Sequence, residues 1–340
     1  MAPVLDWDSR VGRRLRLRDL HILFAVVEHG SMSAAGAHLN MSQSAVSQAI
    51  AALEDTLRVR LLDRTPRGVA PTIYADAIMR RGRIVFDELR SGIKDIEFLA
   101  DPAAGEVRIA CSDMLAGGIL APVIETFAKK YPQVVFEVLQ SNAFGREFIE
   151  LRARKADLAL AILPRPLEDS MCEDLNVEYL FDETLCLAAS PRSRWARRRK
   201  LGFSDLVDAS WITPYSGATA EKALFEAFRA RGLPPPRVVV KTVSGPLRNL
   251  LSARGPFVAL VPASFLKINA GMAELEALPL RLPMPPLPVV MITLRNRTLS
   301  RTVELFLDCV RDVAKSIDQP RQLENAVTSV QRSTAKRLSR

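Results

Sequence analysis

The chain is poor in the residues on which most enzymes and metal sites depend. Only three of its 340 residues are histidines, and all three lie within the first 38 positions. The four cysteines stand far apart, with no CxxC pair, which argues against a disulfide framework and a thiolate zinc site; they are Cys111, Cys172, Cys186 and Cys309. We therefore expect a protein that is not an enzyme and that holds no metal and no cofactor.

Long apolar runs are also missing. No run approaches the roughly 20 residues that span a bilayer, and the first ten residues carry Asp and Arg where a signal peptide would be apolar. Hydrophobic residues make up 48% and charged residues 25% of the chain, which is ordinary for globular domains. These features predict a cytoplasmic protein of two or three domains with no membrane partner.

Three short helices are predicted near the N-terminus. The first covers residues 19–29 and ends at Gly30, and its apolar positions follow helical spacing; they are Leu20, Leu23, Phe24 and Val27. Ser31 can cap a second helix over residues 32–39, and Ser42 can cap a third that runs to about Leu57. Two helices joined by a tight corner predict a helix-turn-helix unit.

The third helix has one apolar face and one uncharged polar face. The polar face, called the reading face below, consists of Gln43, Ser44, Ser47 and Gln48. Ser and Gln can donate to and accept from base edges in the major groove of DNA. A solvated helix surface would have the same composition, so this pattern alone leaves both interpretations open.

A basic hairpin follows the third helix. Short apolar stretches flank a Pro66-Arg67-Gly68 turn, and Arg58, Arg60 and Arg64 lie beside it. This arrangement is typical of a wing that contacts phosphates or the minor groove. Residues 10–72 contain nine Arg and five acidic residues, a balance of 9 − 5 = +4, which favours DNA as the partner.

A long helix is predicted over residues 73–99. Apolar residues recur on it at heptad spacing, and the candidate dimer seam consists of Ile78, Val85, Leu89 and Ile96. Dimerisation would place a second DNA-binding domain one helical turn along the DNA. The alternative is that the long helix packs on its own domain. A hinge is predicted over residues 100–106, because Pro102 and Gly105 interrupt the helix.

The remainder alternates strands and helices, which predicts α/β architecture. Two α/β lobes joined by two crossings resemble a periplasmic-binding-protein fold. Lobe I is expected at about 107–180 and 280–316, lobe II at about 181–279, and a polar tail at 317–340. Ligands bind where strand ends meet helix starts. The candidate ligand residues at such corners are Ser112, Asp113, Ser141, Asn142, Thr213, Tyr215, Ser216, Thr242 and Ser244. Each of them could instead be an ordinary helix cap. The basic run at 192–200 could bind nucleic acid, but its place between a strand and a helix of the second lobe favours a solvated loop.

The motifs of residues 18–99 resemble the N-terminal signature of LysR-type transcriptional regulators. They are a helix with a Gly-Ser turn, an Ala-rich helix, Ser-Gln-Ser-x-x-Ser-Gln, x-Ala-Leu-Glu and Leu-Leu-Asp-Arg. The resemblance implies an N-terminal arm (1–17), a winged helix-turn-helix domain (18–72), a linker helix (73–99) and an effector-binding domain (107–316). It also implies DNA contacts by the reading face, with Arg64 and Arg67 on the wing, and we add the helix-capping Ser31 and Ser42. Many relatives have Pro at position 44 and Arg at position 48, so the base preference does not carry over.

We therefore expect a sequence-specific regulator that binds double-stranded promoter DNA at the nucleoid as a homodimer or homotetramer. A small polar or anionic metabolite would act as effector, and RNA polymerase would be a partner if the protein activates. The alternative is a small-molecule-binding protein or enzyme with an accessory DNA-binding domain. A regulator without any effector is a third possibility.

Overall fold

A computed structural model describes residues 11–65, 68–101, 104–141, 147–163, 173–214, 218–270 and 274–318, with the backbone alone at 64 and 65. The chain forms two compact units, one up to Arg90 and one from Ser91 onward. Cys172, Asn142, Tyr215, Ser216, Arg67 and the tail from residue 319 lie outside the described residues.

The first unit is a winged helix-turn-helix. Its elements are α1 (Gly12–Arg14), α2 (Leu17–His29), α3 (Met32–Leu39), α4 (Gln43–Leu57), β1 (Leu62–Thr65), β2 (Gly68–Pro71) and the start of α5 (Ile73–Ala100). The core is closed by the apolar faces of α2 and α4, where Leu23, Val26 and Val46 are fully buried. The three predicted helices and the wing are confirmed.

The corners of this unit form for the expected local reasons. Gly30 ends α2 at φ 70°, and Asn40 ends α3 at φ 53°, both in the left-handed region. Thr72 caps α5, because its Oγ1 accepts a hydrogen bond from the backbone N–H of Ala75 at 3.3 Å and donates one to the carbonyl of Arg60 at 2.8 Å. The Thr72 hydroxyl, together with the Thr72 N–H that donates to the carbonyl of Leu61 at 2.9 Å, therefore holds the strand-to-helix corner after the wing.

Lobe I of the second unit is built on a mixed five-stranded sheet in the order β4-β3-β5-β12-β6. Its strands are β3 (Ala104–Cys111), β4 (Gln133–Gln140), β5 (Leu158–Ile162), β6 (Leu175–Glu183) and β12 (Leu287–Leu294). Its helices are α6 (Asp113–Leu115), which continues through a π-helical turn (Ala116–Leu120) into α7 (Ala121–Lys130), then α8 (Ile149–Arg152) and α12 (residues 301–318). β3 pairs in parallel with β4 and β5, whereas β12 is antiparallel to its neighbours.

Lobe II has a second mixed five-stranded sheet in the order β11-β7-β10-β8-β9. Its strands are β7 (Leu185–Ala189), β8 (Ser210–Thr213), β9 (Arg237–Lys241), β10 (Phe257–Pro262) and β11 (Glu276–Arg281). A short 3-10 turn (Phe203–Leu206) and the helices α9 (Thr219–Arg229), α10 (Gly245–Arg254) and α11 (Ala263–Ile268) cover it. The two-lobed α/β fold is therefore as expected.

The structure moves the lobe boundaries by a few residues. β6 pairs along its length with β12 and so keeps the chain in lobe I up to Glu183, rather than up to about residue 180. β11 pairs with β7 and keeps the chain in lobe II up to Arg281. The crossings therefore lie at Thr184 and at residues 282–286, because strand pairing and not local composition decides where a lobe ends.

A buried carboxylate occupies the first crossing. Glu183 accepts hydrogen bonds from the backbone N–H of Thr184 at 2.9 Å and of Ser264 at 3.2 Å, and from the Ser264 hydroxyl. Burial raises the pKa of this carboxyl, and the hydrogen bonds from Ser264 and Thr184 only partly oppose the rise. Glu183 thus ties the end of β6 in lobe I to the start of α11 in lobe II.

A second buried carboxylate holds the sheet of lobe I. Asp157 accepts from the backbone N–H of Arg108 at 2.8 Å, from Arg108 Nη2 at 2.8 Å and from Arg297 Nη2 at 2.7 Å. Burial alone would raise the pKa of Asp157, but the two guanidinium groups outweigh it and the pKa is lowered. The three residues fix β3, β5 and the segment after β12 to one another.

Within the described ranges, no helix is both long enough and apolar enough to cross a membrane. The same ranges contain no cluster of three or more metal-ligating side chains.

Candidate nucleic-acid interface and ligand cleft

The reading face is exposed. Gln43, Ser44, Ser47 and Gln48 all lie on the solvent side of α4, while Val46, Ile50 and Leu53 on the opposite side are buried in the core. The side chains project from the first two turns of the helix, the part of a recognition helix that meets base edges in helix-turn-helix proteins. This exposure fits both base reading and a solvated helix surface, and it excludes burial of the reading face inside its own domain.

The two capping serines have local partners. Ser31 Oγ accepts from the backbone N–H of Ala34 at 3.1 Å, and Ser42 Oγ accepts from that of Ala45 at 3.2 Å. Ser42 Oγ also lies 2.9 Å from Ser44 Oγ. These hydroxyls set the directions of α3 and α4 and present the free N–H groups of two helix starts, which suits contact with phosphates.

The wing is attached to the helix-turn-helix through its backbone. The N–H of Val69 donates to the carbonyl of Gly30 at 3.0 Å. Gly68 has φ 129°, and a Cβ there would lie 2.3 Å from the Gly30 oxygen, so no larger residue fits. The backbone of Arg64 is in β1, but its side chain, like all of Arg67, is outside the described residues.

In lobe I, two serines follow adjacent parallel strands. Ser112 comes directly after β3 and Ser141 directly after β4, and the N–H of Ser141 donates to the carbonyl of Cys111 at 3.1 Å. Ser112 is buried, its side chain caps no helix, and its Oγ has no hydrogen-bond partner. A buried hydroxyl without a partner is costly, so Ser112 is a strong candidate for a ligand contact.

Lobe II repeats this arrangement. Thr213 ends β8 and Thr242 follows the adjacent parallel strand β9, with the N–H of Thr242 donating to the carbonyl of Thr213 at 2.9 Å. Thr213 is buried and its Oγ1 also has no partner. The hydroxyls of Thr242 and Ser244 are instead engaged locally, since they accept from the N–H groups of Ser244 and Leu247 at 3.1 and 3.4 Å.

The two lobes meet at the start of α10. Asp113 Oδ2 of lobe I accepts a hydrogen bond from the backbone N–H of Gly245 at 3.3 Å. Arg248 lies one turn further along α10, and burial lowers its pKa to about 10, an effect that the negative charge of Asp113 opposes. The Asp113 carboxylate therefore lies at the N-terminus of a ten-residue helix and within electrostatic range of the Arg248 guanidinium, and both groups favour negative charge there.

The sequence prediction missed Arg248. Its only signal is its place four residues after the capping Ser244, on the first turn of a helix that follows a strand. Which side chain of lobe I approaches it could be known only from the fold.

Two family descriptions match the chain. "Bacterial regulatory helix-turn-helix protein, lysR family" covers residues 17–76, and "LysR substrate binding domain" covers residues 100–315. The regulator GbpR of Azospirillum brasilense is 28% identical over 301 residues, which are 88% of this chain and 86% of that protein.

Solved structures share the fold. A full-length OxyR variant from Pseudomonas aeruginosa superposes with a TM-score of 0.58 at 19% identity, over 87% of this chain and 97% of that one. Full-length CbnR in complex with its target DNA superposes with a TM-score of 0.57 at 19% identity, over 88% of this chain and 100% of that one. The match of the substrate-binding description to more than half of the chain, joined to the winged domain before it, shows that this protein belongs to the LysR family of DNA-binding transcriptional regulators.

Proposed function

We propose that the reading face makes the base contacts of this regulator and that Arg64 and Arg67 on the wing contact the DNA backbone. The observation that carries this proposal is the exposure of Gln43, Ser44, Ser47 and Gln48 together on one side of α4. All four side chains are neutral and can both donate and accept hydrogen bonds through a hydroxyl or an amide. Gln can bind adenine through two hydrogen bonds, and each such contact contributes about 1–3 kcal/mol of discrimination.

We further propose that a small anionic metabolite binds between the lobes. Ser112 Oγ and Thr213 Oγ1 would donate to it, since both are buried without partners. Arg248 and the N–H groups at the start of α10 would hold its negative group, in the place that Asp113 occupies in this structure. Ser141 and Thr242 border the same strand ends, and Asn142, Tyr215 and Ser216 remain part of the proposal from the sequence alone.

The oligomer is proposed from α5. Ile78 packs partly against the winged-domain core, but Val85, Leu89 and Ile96 are 43%, 47% and 67% exposed, as is Ile93 at 57%. These four exposed residues, called the linker stripe below, form a face that a second copy would cover. A homodimer through α5 would place two DNA-binding domains on one promoter. Pairs of dimers would give a tetramer, which would contact RNA polymerase if the protein activates transcription.

Effector and DNA must then influence each other. If metabolite binding changes the lobe arrangement and thereby the spacing of the two DNA-binding domains, the metabolite and the DNA each alter the affinity for the other by the same factor. The site of action would be promoter DNA in the cytoplasm.

A footprinting experiment tests this function. Full-length protein is bound to the DNA upstream of its own gene and its chromosomal neighbours, with and without a panel of carboxylate metabolites. We expect a protected site whose extent or affinity changes with one metabolite, and a loss of about 10³–10⁵ in affinity between 50 and 200 mM salt if 6–10 phosphates are contacted. A protein that binds metabolites but protects no DNA would support the alternative function, a metabolite-binding protein.

A further inference from the structure

A group of four arginines lies at the N-terminal edge of the region matched by the family description. Arg13, Arg14, Arg16 and Arg18, called the arginine arm below, are all exposed. The description begins at residue 17, so three of the four precede it. Most of the arm thus lies outside the segment that the family description covers.

The segment is nevertheless packed onto the winged domain. Val11 is 5% exposed and belongs to the core, and Leu15 packs against the same core. The N–H of Leu15 donates to the carbonyl of Val11 at 2.8 Å, which closes a helical turn around α1. Two apolar anchors on either side of Arg13 and Arg14 therefore fix where the charges are presented.

The arm and the recognition helix α4 together line a groove of about 500 Å³. All four arginines line it, and α4 contributes Ala45, Gln48, Ala49 and Ala52 to its lining, together with Met41 from the preceding corner. Gln48 belongs both to this groove and to the reading face. The groove is therefore continuous with the surface that we propose to contact bases.

The groove is electropositive. It contains four arginines against two carboxylates, Asp19 and Asp55, a balance of 4 − 2 = +2. Arg14 Nη1 lies 3.8 Å from Asp55 Oδ2, but both side chains are more than 60% exposed, so this pair contributes little and can open. Apart from Gln48 and Thr56, the residues that α4 contributes to the groove include three alanines, which offer no side-chain hydrogen bonds, so the arginines dominate the groove and suit it to an anion.

We infer that the arginine arm binds the DNA phosphate backbone beside the base pairs that α4 reads. This inference rests on the proposed role of the reading face. A helix in the major groove, about 12 Å wide, has phosphates along both of its sides. Arginines beside such a helix meet those phosphates, and such contacts position the protein without carrying sequence information.

The test is the salt dependence of DNA binding by the full-length protein. Arg13→Ala/Arg14→Ala/Arg16→Ala is compared with the unsubstituted protein by fluorescence anisotropy, on a duplex obtained by binding selection and on a scrambled duplex. We expect affinity to fall about tenfold or more on both duplexes at 150 mM salt. The slope of log K against log salt should fall by about 0.9 for each phosphate that an arginine no longer neutralises.

A control of equal charge is available in lobe II. Arg197→Ala/Arg199→Ala/Lys200→Ala removes three positive charges from exposed positions of another domain and should leave the slope unchanged. Arg13→Lys/Arg14→Lys/Arg16→Lys keeps the charge and should retain the slope. The three single alanine variants give the same test if the triple variant unfolds at a lower temperature.

An unchanged slope in the arm variant would overturn the inference, as would an equal loss in the lobe II control, which would indicate net charge alone. A loss confined to the selected duplex would also contradict it, because phosphate contacts act on every sequence. If the unsubstituted protein binds both duplexes equally while the arm variant still lowers the slope, base reading by the reading face is contradicted and phosphate binding by the arginine arm is supported. If the unsubstituted protein binds no duplex, both base reading by the reading face and phosphate binding by the arginine arm are contradicted.

Discussion

Asp113 of lobe I and Gly245 of lobe II are joined across the cleft by one hydrogen bond, 3.3 Å from the Gly245 nitrogen to Asp113 Oδ2. The carboxylate lies at the start of α10, where an anionic ligand would be best placed. The protein thus fills its own candidate anion position with a side chain. An anionic effector would have to displace this carboxylate, and the displacement would break a contact between the lobes.

Asp113→Asn should improve anion binding. The substitution removes the charge that repels an anion and leaves Arg248 without that carboxylate, so we expect roughly tenfold tighter sulfate binding, or about 1.4 kcal/mol. The sulfate-dependent rise in Tm should then be about 3 °C larger than in the unsubstituted protein.

Sulfate stabilises proteins in general, so this experiment needs a matched control. Asp208→Asn makes the same change at an exposed position of lobe II and should show no extra rise. Adding Arg248→Gln to Asp113→Asn should abolish the extra sulfate-dependent rise in Tm. Equal responses of Asp113→Asn and Asp208→Asn would show that Asp113 does not face the anion position.

Asp157→Ala should be strongly destabilising. The substitution leaves the buried guanidinium groups of Arg108 and Arg297 without their shared carboxylate, and removing one partner from a buried pair costs about 3–5 kcal/mol. Urea unfolding measures this loss. Asp312→Ala removes an exposed pair with Lys315 on α12 and should cost less than about 1 kcal/mol; similar losses would contradict the assigned role.

The lowered pKa of Asp157 also predicts that the protein is destabilised by acid. The folded-state pKa of this carboxyl is lowered, so the stability it contributes is present above the pKa of an ordinary aspartate and is lost as pH falls through the folded-state value. The difference in unfolding free energy between the unsubstituted protein and Asp157→Ala should therefore shrink on acidification.

Glu183→Gln should change stability with pH in the opposite sense. The folded-state pKa of Glu183 is raised, so the stability that its protonated form contributes is present at acid pH and is lost as pH rises through the raised pKa. Gln stays neutral; its Oε1 can accept from the backbone N–H of Ser264 and its Nε2 can donate to the Ser264 hydroxyl. It should therefore gain relative to Glu as pH rises, by at most about 1.4 kcal/mol per pH unit. Chemical denaturation at several pH values measures this difference, and a gap that does not vary with pH would contradict a raised pKa.

Leu89→Glu should dissociate the dimer proposed through the linker stripe. Leu89 is 47% exposed, so covering it is worth about half of the roughly 1.5–3 kcal/mol of a fully exposed leucine in each copy. Burying an unpaired carboxylate in both copies adds to this loss, so the dissociation constant should rise about a hundredfold or more. Sedimentation velocity over a concentration series measures it. Ala77→Glu adds the same charge to an exposed position of α5; if both variants dissociate alike, charge rather than the stripe is responsible.

Much of the winged domain could be predicted from the sequence because its signals are local. Gly30, Asn40, Ser31 and Ser42 each end or begin a helix through their own conformation or hydroxyl. The reading face could be located by the same logic, since the apolar residues of α4 recur at helical spacing and leave one side polar.

The remaining features depend on contacts between distant segments. β6 has a mixed composition and becomes a strand through pairing with β12, more than a hundred residues later. Arg248 gains the role proposed for it only when lobe I brings Asp113 towards α10. The heptad spacing of α5 likewise could not show that Ile78 packs partly on its own domain while Leu89 is exposed.

The most direct test of the account is the affinity of two reading-face variants for two duplexes. Gln43→Ala and Ser47→Ala should each weaken binding to a selected duplex by about 1–3 kcal/mol and change binding to its scrambled counterpart little, whereas Arg67→Ala should weaken both alike. Equal losses on both duplexes for Gln43→Ala and Ser47→Ala would contradict base reading by α4.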